Sequence, residues 1–235
     1  MATFLDLRTR VSEQVIDLPT TVQNRIPVLI NQAIREMQRN YNFRAMEVSQ
    51  TFVTAQAALT LTPTSILRFK EFRDKGPYLL RYLDKARRYI TVSQADADLA
   101  VLSDVNNPDE PSFLINSVDP ATGATTFTIA PYPDGNSDWP DGNYRIVVPA
   151  YAYSADLSGD ADQNWYTNFA DDYIELKAAS EAFGLDWDFD KMALMAQRAD
   201  MKLKSIKHAD KTNRLSSVDT FVPMWQGANQ PQIRN

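Results

Sequence analysis

The residue types that carry most enzyme chemistry are scarce in this chain. His208 is its only histidine, there is no cysteine, and glycine occurs seven times in 235 residues. A Ser-His-Asp or Cys-His apparatus would have to use His208, and no nucleophile elbow lies near it. One histidine without cysteine cannot make the usual zinc sites, and no Gly-x-x-x-x-Gly-Lys-Ser/Thr phosphate loop occurs. His208 therefore reads as an exposed helical residue near a C-terminus, where the helix dipole favours its positive form. Asp134-Gly135-Asn136-Ser137-Asp138 begins like a calcium loop. The pattern then fails, because Trp139 holds the glycine position and Arg145 the bidentate-acid position. Asp96 and Asp98, two apart, share no helix face. Asp160 and Asp162 read as a cap or dipole complement for a helix opening at Trp165. Acids are plentiful enough to supply a glycosidase pair, yet spacing selects none. No catalytic residue, metal or cofactor is expected.

Composition narrows the class further. The formal net charge is −6 and 44% of residues are apolar. An acidic chain does not look like a simple nucleic-acid binder, although it suits a surface past which DNA must slide without sticking. The first residues are amphipathic and charged rather than signal-like, and no run of 18 apolar residues suggests a membrane span.

Two long helices joined by a tight turn, over Trp165–Ala209, dominate the rest. Trp165, Phe169, Tyr173, Leu176, Ser180, Phe183 and Trp187 recur at steps of three and four, which places them on one face. Met192, Met195, Ala199, Leu203 and Ile206 do the same on the second helix. Gly184 suits the first helix's end, and Asp186 or Asp188 the next N-cap. Residues 155–186 are rich in acids, among them Asp171, Asp172 and Glu175. Residues 187–214 are rich in bases, among them Arg198, Lys202 and Lys207. Unlike charges of this kind can pair within the hairpin or between neighbouring subunits, or can be two solvated faces.

Upstream, Thr3 and Asp6 form a capping-box pattern before Phe4, Leu7, Val11 and Val15. Leu18-Pro19-Thr20 breaks that helix. A second helix carries Ile26, Leu29, Ile30, Ala33, Ile34 and Met37, with Pro27 in its first turn and Thr21 or Asn24 as cap. From Met46 the grammar turns to β. Strands are expected at 46–54, 58–62, 66–72, 78–83, 112–117, 125–130 and 143–154. A short helix capped by Thr91 or Ser93 is expected over 94–102. The fold class is α+β: a helical bundle formed by N- and C-terminal helices, with an inserted antiparallel β domain. The expected boundaries are 1–45 for the first helices, 46–154 for the β domain with its short helix, 155–210 for the closing hairpin and 211–235 for an extended tail. Periodicity stops after about residue 211, and Phe221, Val222, Met224 and Trp225 are sparse anchors suited to docking on a partner.

The motifs Ile30-Asn31-Gln32-Ala33-Ile34-Arg35-Glu36-Met37, Tyr41-Asn42-Phe43, Phe127-Thr128-Ile129-Ala130-Pro131-Tyr132-Pro133-Asp134-Gly135, Tyr151-Ala152-Tyr153-Ser154-Ala155-Asp156-Leu157-Ser158 and Asn164-Trp165-Tyr166 follow one another in order. In this order the chain resembles the head-to-tail adaptors of tailed phages, the group that includes podovirus tail tubular protein A, over roughly residues 1–210. The resemblance implies a structural virion protein, assembled in the host cytoplasm as a twelve-subunit ring. The ring would sit between the portal protein and the tail nozzle or tail completion protein, with DNA passing through its lumen and no membrane contact. On that reading Asp171, Asp172, Glu175 and Arg198 would serve the subunit interface. Lys202, Lys207 and the four tail anchors would serve partner binding. A polysaccharide-degrading tail component and a non-viral soluble interaction protein are the alternatives.

Overall fold

The computed structural model describes residues 2–54, 60–66, 68–82, 87–93, 108–119 and 124–219. The chain divides into two units, residues 1–44 with 156–235 and residues 45–155. The first is helical, and the second is built from β-strands.

In the helical unit α1 spans Phe4–Gln14. Thr3 Oγ1 accepts the Asp6 N–H at 3.1 Å and the Asp6 carboxylate accepts the Thr3 N–H at 2.8 Å, so the expected capping box is formed. Two further N-terminal donors are satisfied from far along the chain, Phe4 N–H by the Asp162 carbonyl and Leu5 N–H by the Asp160 carbonyl. After Pro19 the chain makes a short helix α2, Thr20–Gln23, and then α3, Ile26–Asn40. This corrects the expected cap. Residues 20–23 coil into a turn of their own, so Thr21 lies inside α2, Asn24 ends it, and α3 starts from Arg25 without a side-chain cap. Pro27 sits in the first turn of α3, where its missing N–H leaves no bond unmade. The apolar face of α3 is buried as its spacing requires.

The closing hairpin departs from two simple helices. α4, Trp165–Phe169, is capped by Asn164 and Thr167 reciprocally. The backbone leaves helical geometry at Ala170, with φ −133° and ψ 16°, and resumes as α5, Asp171–Leu185. The single aromatic stripe is thereby broken: Phe169 and Trp187 are exposed, while Tyr173, Ser180 and Phe183 are buried. Burial on α5 also takes in Ile174, Ala178, Ala179 and Ala182, because α1, α3 and α6 all pack against this one helix. Its alanines permit that close approach. α6 spans Phe189–Asp219. Met192, Met195, Leu203 and Ile206 are half-buried and Ala199 is buried, so the expected stripe is the inner face. Two expectations are overturned here. The helix continues past 211 to Asp219, and His208 therefore lies in a helix interior, where the C-terminal dipole does not reach it.

In the β unit, β1 (Glu47–Val53), β2 (Thr60–Leu61), β3 (Phe69–Phe72) and β4 (Tyr78–Leu80) lie at or within expected segments. β5 (Arg87–Tyr89) and β6 (Thr91–Ser93) were not expected. Thr91 and Ser93 belong to β6, which pairs in parallel with a later strand, Thr91 opposite Phe113 and Ser93 opposite Ile115. β7 (Phe113–Val118) and β8 (Thr125–Ala130) form the anticipated antiparallel hairpin, and β9 is Arg145–Ala152. One sheet has the order β1-β9-β4-β5, with β3 also on β9, and the other has the order β2-β8-β7-β6. β9 is the spine of the first sheet. β1 pairs along one edge, from Glu47 opposite Tyr151 to Val53 opposite Arg145, and β3 and β4 divide the other. Both sheets contribute to one core, with Phe52, Leu79, Ile146 and Val148 from the first and Leu114, Phe127 and Ile129 from the second. The expected helix at 94–102, Asp96 and Asp98, and the anchors Phe221, Val222, Met224 and Trp225 lie outside the described residues.

Candidate assembly surface

Among the described residues, no group of three or more His, Asp or Glu side chains could hold a metal ion. The would-be calcium loop is internally satisfied. Burial opposes ionisation of Asp134, but hydrogen bonds from the Tyr144 hydroxyl at 2.7 Å and from Asn136 outweigh it and hold the carboxyl below its usual range. Burial beside that carboxylate raises the Tyr144 phenol. Asp160 and Asp162 do not cap α4, because Asn164 already does. Asp160 pairs with Arg8 at 2.6 Å, and Asp162 accepts the backbone N–H groups of Ser158 and Gly159, which lower its pKa.

The charged residues of the hairpin divide into an inner and an outer set. Arg10 of α1 reaches Asp171 at 3.0 Å and Glu175 at 3.3 Å, and Gln14 donates to Glu175. Burial dominates at Glu175 and leaves its pKa raised despite Arg10. Lys177 bridges Glu36 and Glu181. Burial alone would lower Lys177, but these two partners raise it. Tyr173, buried in the same layer, is pushed up to about 12. Lys202 meets Asp172 at 2.6 Å across the α5–α6 pair, and Lys207 stands 5.4 Å from the centre of the Tyr41 ring. Of the residues singled out from the sequence, Asp171, Asp172, Glu175, Lys202 and Lys207 thus have partners inside the helical unit. Arg198 is on the exposed side of α6.

The hairpin tip is apolar and held in an unusual shape. Trp187 adopts φ +63°, the left-handed region that favours glycine, and it is 78% exposed with its ring edge-on to exposed Phe189. Gly184, the expected terminator, lies one turn earlier, inside the helix. Asp188 supplies the cap of α6, accepting the Lys191 N–H at 3.1 Å. Below the tip, Leu194 and Met201 are exposed one heptad apart, on the side of α6 opposite its buried stripe. Leu5 on α1 and Ile16 in the turn after it are also exposed, and with Arg8, Ser12, Glu13 and Gln23 they line an open groove of about 330 Å³. Sequence reading missed this surface. Its signal was present as apolar residues off the buried register, at 5 on α1, at 16 just after it, and at 194 and 201 on α6.

No helix among the described residues is long and apolar enough to cross a membrane. A search of curated proteins finds no significant match. A family model described as SU10 adaptor protein matches residues 2–221, a span that takes in the β unit and both halves of the helical unit. The chain belongs to the SU10 adaptor protein family, a family of phage head-to-tail adaptors.

Proposed function

We propose that this structural adaptor closes into a ring between the portal and the tail, and that the phage genome passes through the ring during ejection. In this reading the N- and C-terminal helices form a bundle, the β domain is an insertion within it, and the ring has twelve copies assembled in the host cytoplasm. The observation that carries the proposal is family membership combined with the apolar side chains left exposed on α1 and α6 and at the hairpin tip. Large exposed apolar patches on a folded protein mark surfaces covered in an assembly. Closure requires contacts between unlike faces, since self-complementary faces give dimers and stop. A net charge of −6 suits a passage that repels phosphate. The tail anchors Phe221, Val222, Met224 and Trp225 dock on the portal or tail protein, and Arg198 serves a subunit contact.

The test is to mix the purified protein with its portal and image the product by electron microscopy. Rings or a portal-bound ring are expected. Monomers persisting beside intact portal would overturn the reading. Deleting residues 220–235 is expected to leave folding unchanged and weaken portal attachment, as read by co-sedimentation.

A further inference from the structure

The ring reading leaves open which two faces meet, and the exposed residues of the helical unit suggest a pairing. On the outer side of α6, Leu194 and Met201 are 46% and 57% exposed, and Arg198 lies between them. Seven residues of helix separate the two apolar side chains by about 10 Å. Along α1, the groove is lined by Leu5 in the first turn and by Ile16, 70% exposed, just past the helix's C-terminal end. The helix between them, α1, is 11 residues or about 16 Å long, so the α6 pair fits within the length of the groove. Glu13 stands exposed on the groove wall one turn from Ile16, and Asp17 follows it, also exposed. The groove's cation, Arg8, is engaged by Asp160 at 2.6 Å. On α6, Lys191 is held by Asp188 and Lys202 by Asp172, and Lys204 is an exposed cation one turn beyond Met201. One face therefore presents apolar knobs around a cation, and the other an apolar trough with an acidic end.

We propose that the outer face of α6 in one copy seats in the α1 groove of the next copy, with Leu194 and Met201 over Leu5 and Ile16 and Arg198 meeting Glu13. This rests on the ring reading and names its contact. The two faces are different surfaces of one subunit, so each copy offers one of each and the contact propagates around a ring rather than ending at a dimer. Opposite charges at the edge set register and discourage like-to-like pairing of two α6 faces.

A charge swap in the full-length protein tests the pairing, read by light scattering and electron microscopy. R198E and E13K are each expected to raise the concentration needed for ring formation on the order of tenfold, with helix content unchanged by circular dichroism. The double variant, which restores the pair in reverse, is expected to recover most of that loss. The L194S/M201S variant is expected to abolish rings while staying folded. Single variants that form rings at the wild-type concentration would overturn the placement and leave the ring reading intact. So would single variants that form rings normally and fail only to bind portal, since α6 would then face another protein. Wild-type protein that never oligomerises, alone or with portal, would overturn both.

Discussion

The two units of this protein treat their surfaces differently. In the β unit the large side chains turn inward from two sheets onto a shared core, and among the described residues the exposed ones are scattered valines and tyrosines at 53, 82, 89, 92 and 118. In the helical unit α5 is enclosed by α1, α3 and α6, yet those outer helices keep Leu5, Ile16, Val28, Leu194 and Met201 in solvent, with Trp187 and Phe189 at the tip. A β-strand has two faces, and an open sheet resolves the choice by alternation. A helix has a continuous circumference, so a second apolar stripe can be added without disturbing the first. The helical unit is where such a second apolar set stands in solvent.

The largest expected effects would show whether the units stand alone. Phe127→Ala empties the β core and Ile174→Ala the helical one, each at a cost of about 2–5 kcal/mol. Each substitution should lower the thermal transition of its own unit, tracked by amide exchange in that unit. Equal loss of protection in both units would show a single cooperative body. Next, Arg10→Ala removes the cation shared by Asp171 and Glu175. A loss of about 1–2 kcal/mol in chemical denaturation is expected, discounted because the pair is partly solvated. No loss would mean that apolar packing alone holds α1 on α5.

Trp187→Gly carries the opposite sign. Relief of the left-handed conformation should stabilise the monomer by about 0.5–1 kcal/mol, seen as a raised melting temperature. A lowered one would show that the exposed Trp187–Phe189 pair matters to the monomer itself. The smallest effect concerns pH. The folded pKa of Glu175 is raised, mainly by burial, so the folded state binds its proton more tightly than the unfolded chain does. The associated stability is complete below the ordinary glutamate value and is lost as pH rises through the raised one. Glu175→Gln should therefore match wild type in acid and exceed it slightly at neutral pH, by melting temperature. If the variant is weaker at neutral pH, the Arg10 pair outweighs burial.

Much of the fold was legible because local rules act over short spans. The Thr3–Asp6 box, the buried face of α3 and the β7–β8 hairpin all follow from residues within a few positions of one another. What was not legible depended on partners far along the chain. Asp160 and Asp162 looked like caps for the nearest helix, but their carbonyls serve the first turn of α1. The strand β6 at 91–93 was not legible because its pairing partner, β7, lies about twenty residues further on. Asp171 and Glu175 looked available for a neighbour until Arg10 of α1 was placed beside them.

By itself the sequence determined where most of the helices and strands form, and the capping box that opens α1. It also determined that chemistry based on thiols or clustered histidines has no residues to use. These depend on backbone geometry and side-chain type within one or two turns. Only the tertiary structure decided that α5 is central, that Asp171 and Glu175 face Arg10 of α1, and that Leu194, Met201, Leu5 and Ile16 stay in water. Burial is set by which helices surround a given face, and no single segment contains that information.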